Sequence, residues 1–189
     1  MLTGWRKSRA RKRAKAARGA AHASLPDAGR RLVENFPDEI WPAVNAVVAG
    51  YRPIHDEIDP TPLMETFHCE QARLALPCVA ARGEPLVFRG WAPGQDLITG
   101  AFKVEEPEPS APELQPQLIL APMLGFDEKG RRLGYGAGFY DRTIQRLRAS
   151  GSVTVVGLAF SAQKLSRTPT DRYDMPVDWV ITEAEAIRC

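Results

Sequence analysis

"QLILAPMLGFDEKGRRLGYGAGFYDRTIQRLRASGSVTVVGLAF", residues 117–160, decides the fold. Its opening run "QLILAPML" (117–124) reads as a buried strand, and "VTVVGLAF" (153–160) as a second one, stopped by "SAQ". Between them "FYDRTIQRLRAS" (139–150) places Tyr140, Ile144 and Leu147 on one face of a helix. Strand, helix and strand in this order predict neighbouring parallel strands, because a crossover helix is the usual way to join such neighbours.

The same alternation extends toward the amino terminus. Residues 5–23, rich in Ala, Arg and Lys and free of Pro, favour a helix with a thin apolar stripe. "PDAGRRLVENF" (26–36) predicts a short helix and "AVNAVVAGYRPI" (43–54) a buried strand. "TPLMETFHCEQA" (61–72) predicts a helix with Thr61 as N-cap and Pro62 at the first helical position, and "RLALPCVA" (73–80) a strand. Residues 84–103 read as a short strand followed by a turn-rich excursion, and "VEEPEPSAPELQP" (104–116) as an extended surface connection. A last short strand, "DWVIT" (178–182), precedes a polar end. The whole predicts one α/β domain over residues 1–189: a three-layer sandwich, Rossmann-like, with a mostly parallel central sheet flanked by helices. Ligands in such folds gather at the carboxyl ends of the strands.

Composition narrows the class. With 44% hydrophobic and 25% charged residues in 189, the chain has the make-up of an ordinary globular protein. Its apolar runs fall well short of the roughly 20 residues that span a bilayer, so a cytoplasmic protein with no membrane partner is expected. Cys69, Cys78 and Cys189 are odd in number and lack C-x-x-C spacing, which predicts reduced thiols rather than a disulfide framework or a zinc site. The net charge of +2 is unevenly spread. Residues 1–18 hold eight basic residues and no acid, leaving 17 basic against 23 acidic residues elsewhere. An arm so basic must meet anions.

In the turn between the apolar run and the helix, Gly134, Gly136 and Gly138 alternate. They allow positive φ and let successive N–H groups point into one concavity that suits an anion. The helix start adds its dipole, and Arg131, Arg132 and Arg142 add full charges. The Walker pattern is absent, and Phe139 stands where the dinucleotide fingerprint needs its third glycine. Phosphate binding and a tight packing turn both remain open on this pattern alone. Asp141 likewise has two readings, a helix-dipole partner or a Mg²⁺ ligand, and Asp174 is either a turn former before Pro176 or a second carboxylate for the same ion.

The glycine stretch with its flanks, "QLILAPMLGFDEKGRRLGYGAGFYDRTIQRL", closely resembles the signature of the 5-formyltetrahydrofolate cyclo-ligases, also called 5,10-methenyltetrahydrofolate synthetases. The Lys7 and Arg11 spacing, "YRPIHDEID", "LALPCVAARGEPLVFRGW" and "YDMPVDWV" agree in order, so the resemblance covers nearly the whole chain. It implies an enzyme that uses ATP and Mg²⁺ to convert 5-formyltetrahydrofolate into 5,10-methenyltetrahydrofolate, releasing ADP and phosphate. It implies that Lys7, Arg11, Arg132, Leu133, Gly134, Tyr135, Gly136, Ala137, Gly138, Phe139 and Tyr140 bind ATP, with Arg132 and Tyr140 as catalytic candidates. Tyr135 to Phe139 would also face the folate, together with Arg52 and Glu57, the latter matching a pterin-binding carboxylate. Asp141 and Asp174 would be the Mg²⁺ ligands. Trp91 is a candidate for stacking on the folate rings, or core.

The sequence departs from the family pattern in three places. Ala137 stands where relatives often carry glycine or lysine, Lys103 where a small residue is usual, and "CEQA" replaces a glycine-containing turn. The expected protein is a monomer with no specific nucleic-acid partner. The alternative is a noncatalytic nucleic-acid-binding protein of the same fold that works through its basic arm.

Overall fold

The computed structural model describes residues 2–189. Helices α1 (Leu2–Ser24) and α2 (Ala28–Asn35) lead into strand β1 (Val47–Ala49), helix α3 (Thr61–Cys69) and strands β2 (Arg73–Cys78) and β3 (Val87–Gly90). Two short strands, β4 (Ile98–Thr99) and β5 (Glu105–Glu106), form a ribbon of their own. Strand β6 (Leu118–Pro122) is followed by a second ribbon, β7 (Gly125–Phe126) and β8 (Arg132–Leu133), then by helix α4 (Phe139–Ser150), β9 (Thr154–Leu158), β10 (Trp179–Ile181) and β11 (Ala186–Arg188).

The central sheet has seven strands in the order β11-β10-β9-β6-β1-β2-β3. The pairings from β10 through β2 are parallel, and the outermost strands β3 and β11 are antiparallel. The predicted strand–helix–strand unit is present: β6 pairs with β9 in register from Leu118 with Thr154 to Pro122 with Leu158, and α4 joins them. Side chains alternate across the sheet with period two. Leu118 and Leu120 pack with Leu32, Leu63 and Phe67 of α2 and α3, while Ile119 and Ala121 pack with Ile144 and Leu147 of α4. Two apolar layers, one on each face, explain why the central strands read as continuous hydrophobic runs.

Several boundaries differ from expectation. The segment 43–54 is strand only at Val47–Ala49, because the chain turns away at Gly50 to build a buried loop held by Tyr51 Oη donating to Ile58 O at 2.7 Å. Thr61 is not the N-cap: Pro60 takes that place, and the Asp59 carboxylate accepts from Thr61 N at 2.9 Å. The polar end carries β11, which covers the edge of β10. The ribbon β7–β8 separates β6 from the glycine turn, where the sequence suggested direct passage from strand to helix. Its sequence is too short and too polar to register as a hairpin, and Asp127 fixes it by accepting from Lys129 N and Thr168 N.

The order of strands sets the site. From β1 the chain moves through α3 to β2 on one side, and from β6 through α4 to β9 on the other. The loops leaving β1 and β6 therefore diverge, opening a crevice at their carboxyl ends. Helix α1 crosses it, packing on β7, β8 and the turn Ser161–Gln163 that follows β9. None of the helices is long and apolar enough to cross a membrane, among the described residues.

Candidate active site

Helix α1 faces the crevice with Lys7, Arg11, Ala14, Arg18 and Ala21, a stripe at alternating spacings of four and three. Ala14, Arg18 and Ala21 are buried, and Ala14 packs on Leu124 and Leu133. The stripe is thin in apolar area, as the sequence suggested, because cations do much of its work. Lys7 Nζ lies 2.5 Å from Asp174 Oδ2 and 2.8 Å from Asp171 Oδ2. Burial opposes its charge, but the two carboxylates outweigh that and raise the Lys7 pKa. Arg11 Nε donates to Gly134 O at 2.8 Å.

The glycine turn from Gly134 to Gly138 is open. Gly136 and Gly138 take positive φ, +107° and +70°, as expected; Gly134 does not. Gly138 is the left-handed N-cap of α4, and a Cβ at Gly136 would sit 3.2 Å from Arg11 Nη2. Tyr135, Gly136 and Ala137 are exposed. Among the described residues, no protein acceptor engages the N–H groups of Tyr135, Gly136, Ala137 or Gly138. Arg142 donates to Ala137 O at 2.7 Å and lies over the Phe139 ring, so it braces the turn from the helix side.

Arg132 lies under the turn, 6% exposed, and donates through Nη2 to Asp141 Oδ1 at 2.6 Å. Its Nη1 is buried with no hydrogen-bond partner, an uncommon condition for a guanidinium. Burial pulls its pKa down, and the Asp141 charge opposes this. Tyr140 stacks on the same guanidinium at 5.7 Å. Burial, with the charge of Glu57 behind it, pushes the Tyr140 phenol well up, so this candidate is a neutral donor and not a base.

Asp141 accepts from Arg132 and from Met175 N through the same oxygen, Oδ1, and Asp174 accepts from Lys7 and from Asp171 N through Oδ2. Asp174 and Arg132 share a cavity of about 270 Å³ with Lys129, Arg131 and Thr170. Among the described residues, no group of three or more His, Cys, Asp or Glu is arranged to hold an ion by protein ligands alone.

Across the crevice, the loop after β1 presents Glu57, 4% exposed. Its Oε1 accepts from Tyr135 Oη at 2.5 Å and its Oε2 from Ile54 N at 2.9 Å. Burial raises its pKa, and these donors, with Arg18 and His55, act against the rise. Glu57 and the glycine turn, 78 residues apart in sequence, are thus brought into contact.

Other candidates stand elsewhere. The Leu133 side chain is in the small core under α1, so only its backbone faces the turn. Arg52 pairs with Glu105 at 3.1 Å and lines a separate groove with Thr61, Glu65 and Trp91. Trp91 is mostly buried in the core and donates to Gln95 O. Lys103 and Phe102 both have positive φ, and the exposed Phe102 meets the Phe139 edge at 5.8 Å. Sequence reasoning missed Arg18, Asp56 and Asp171. For Arg18 a signal existed, its place on the stripe begun by Lys7 and Arg11; nothing in the sequence marks the other two as contacts of α1.

Comparison with known proteins agrees with this geometry. The 5-formyltetrahydrofolate cyclo-ligase family matches residues 4–183. The chain is 31% identical over 143 residues to the 5-formyltetrahydrofolate cyclo-ligase of Escherichia coli (strain K12), covering 73% of this chain and 78% of that one. Against the Mycolicibacterium smegmatis protein of the same name it is 32% identical over 152 residues, 74% and 75% of the two chains. Among solved structures, the 5,10-methenyltetrahydrofolate synthetase of Aquifex aeolicus aligns over 96% of this chain and 92% of its own, with a TM-score of 0.75 and 30% identity. A sheet with its crevice between β1 and β6, a glycine turn facing a buried carboxylate, and these matches place the chain in the 5-formyltetrahydrofolate cyclo-ligase family, a family of ligases.

Proposed function

We propose that this single-domain protein, acting as a monomer, closes the ring of 5-formyltetrahydrofolate to 5,10-methenyltetrahydrofolate at the expense of ATP. The observation that carries the reading is the turn Tyr135–Gly138, whose unengaged N–H groups lie beside Arg11 and Arg132 and opposite Glu57. Free amides at a helix start suit phosphate oxygens. A buried carboxylate suits the adjacent N–H donors on a pterin edge.

The chemistry follows from a poor leaving group. The formyl oxygen attacks the γ-phosphorus and ADP leaves; N10 then adds to the activated carbon, phosphate departs with the oxygen, and N10 releases its proton. The chain's part is alignment and charge neutralisation. Arg132, with one nitrogen held by Asp141 and the other unpartnered, is placed to take up charge developing on the transferred group. Tyr140, kept neutral, supplies a phenolic donor beside it. Glu57, with one donor on each oxygen, Tyr135 Oη on Oε1 and Ile54 N on Oε2, keeps a lone pair on each for the pterin N–H groups.

The residues also fit Mg²⁺. Each of Asp141 and Asp174 uses one oxygen for its protein contacts, and the Lys7 ammonium already stands as a cation against Asp174. Hard carboxylate oxygens together with phosphates are the usual ligands of this ion. Bound there, Mg²⁺ would supply neutralisation of phosphate charge, and Lys7 would be released toward the nucleotide.

The test is direct: protein, Mg-ATP and 5-formyltetrahydrofolate are mixed and the methenyl absorbance is followed. An ATP-dependent rise is expected. Well-folded protein that gives none overturns the reading.

A further inference from the structure

Helix α1 is basic and mostly exposed, yet one of its arginines is not. Arg18 is 1% exposed, while Lys12, Arg13 and Lys15 point to solvent. A guanidinium is costly to bury unless fully paired, and at the neighbouring stripe positions Ala14 and Ala21 dock the helix without charge. Docking alone therefore does not call for an arginine here. Its partners say what does. Arg18 donates through Nη1 to the Tyr135 hydroxyl and through Nη2 to Asp56 Oδ1, and Nη1 lies 3.6 Å from Glu57 Oε1. The Tyr135 hydroxyl, having accepted from Arg18, donates onward to Glu57 at 2.5 Å. The guanidinium also lies over the Tyr135 ring at 5.5 Å. The close approach depends on the next residue, since a Cβ at Gly19 would come 3.1 Å from Asp56 Oδ2.

We propose that Arg18 is a positioning residue for the folate: it orients the Tyr135 hydroxyl and, through it and its own approach to Oε1, keeps Glu57 aimed into the crevice. This rests on the reading of Glu57 as the folate carboxylate. Arg18 faces Glu57 from α1, Tyr135 from the glycine turn, Tyr140 from α4, Tyr51 from the end of β1, and His55 from its own loop. Arg18 and His55 are the cationic or titratable-to-cation groups of this set; the tyrosines are neutral, and Asp56 is held by Arg18. Burial already raises the Glu57 pKa against the Ile54 and Tyr135 hydrogen bonds and the Arg18 charge; removing the guanidinium takes away that charge and the group that orients Tyr135, so the Glu57 carboxyl would take up a proton at higher pH still. A protonated Glu57 cannot accept two pterin N–H donors.

The experiment measures 5-formyltetrahydrofolate affinity across pH, and Mg-ADP affinity without folate, for the wild type, Arg18→Met, Arg18→Lys and Glu57→Gln in the full chain. Arg18→Met is expected to weaken folate about tenfold at neutral pH and to move the acid limb of binding to higher pH, with Mg-ADP affinity changed less than about twofold. Arg18→Lys, which keeps the charge but cannot reach Tyr135 and Asp56 together, should fall between. An unmoved acid limb in Arg18→Met, or a loss of Mg-ADP affinity as large as the folate loss, overturns the proposal and leaves Arg18 as a docking residue. Should the Met variant fail to fold, wild-type folate affinity in Arg18→Lys overturns it equally. Glu57→Gln that binds folate like the wild type refutes the reading of Glu57, whatever the Arg18 variants do.

Discussion

Two loops meet in the crevice, and they are built on opposite plans. The loop after β1 is closed on itself: Tyr51, Glu57 and Ile58 are buried, Tyr51 Oη bonds Ile58 O, and Glu57 both donates to and accepts from Ile54. The turn after β8 is exposed, with N–H groups engaged by no described residue and with glycines at positive φ. A saturated loop can select by shape and by one carboxylate whose place is fixed. An unsaturated one can grip any group that brings acceptor oxygens. In the proposed function this difference divides the work: the loop after β1 would recognise the pterin and the turn after β8 would hold the phosphates.

The largest effect should come from the phosphate side. Asp141→Asn removes the negative charge that pairs with Arg132 and that the proposed Mg²⁺ site would need, and is expected to lower turnover by about 10²-fold or more with an unchanged circular dichroism spectrum. Turnover equal to the wild type would take Asp141 out of the site. On the recognising side, Glu57→Gln should raise the folate KM about 10- to 100-fold while leaving the ATP KM alone, in line with losing charge-assisted hydrogen bonds. The same residue sets a pH signature. Because burial raises the Glu57 pKa, folate affinity should fall as pH drops through a value above the ordinary carboxylate range, and Glu57→Gln should flatten that limb.

Smaller effects test the turn and its surroundings. Gly136→Ala places a side chain at φ +107° and against Arg11, and should cost about 1 kcal/mol or slightly more in a denaturation experiment while weakening nucleotide binding severalfold. Arg52→Ala should change stability by less than about 0.5 kcal/mol, since its pair with Glu105 is largely solvated. A tenfold rise in folate KM in that variant would show that the groove shared with Trp91 belongs to the substrate.

The strand–helix–strand unit at 117–160 was legible because its periods are local: apolar runs for strands buried on both faces and a four-then-three spacing for α4. Glu57 and the glycine turn were legible one by one, but their contact depends on the divergence of chain paths at β1 and β6, which no local pattern encodes. Arg18 reads as one more charge on a basic helix, and only the docked position of α1 shows that it is buried. The ribbon β7–β8 was invisible for a similar reason, since two-residue strands carry no period. Lys7 illustrates a further limit: its spacing with Arg11 marks a helix face, but its pairing with Asp171 and Asp174 joins residues more than 160 apart in sequence, which no local pattern shows.

The central claim is that phosphates lodge on the turn Gly134–Gly138, and backbone amide shifts recorded while Mg-ADP is titrated into the full chain test it most directly. The largest shifts are expected at Tyr135, Gly136, Ala137 and Gly138. Shifts confined instead to the groove of Arg6, Arg9, Arg13 and Arg167, with those turn amides unmoved, would contradict it.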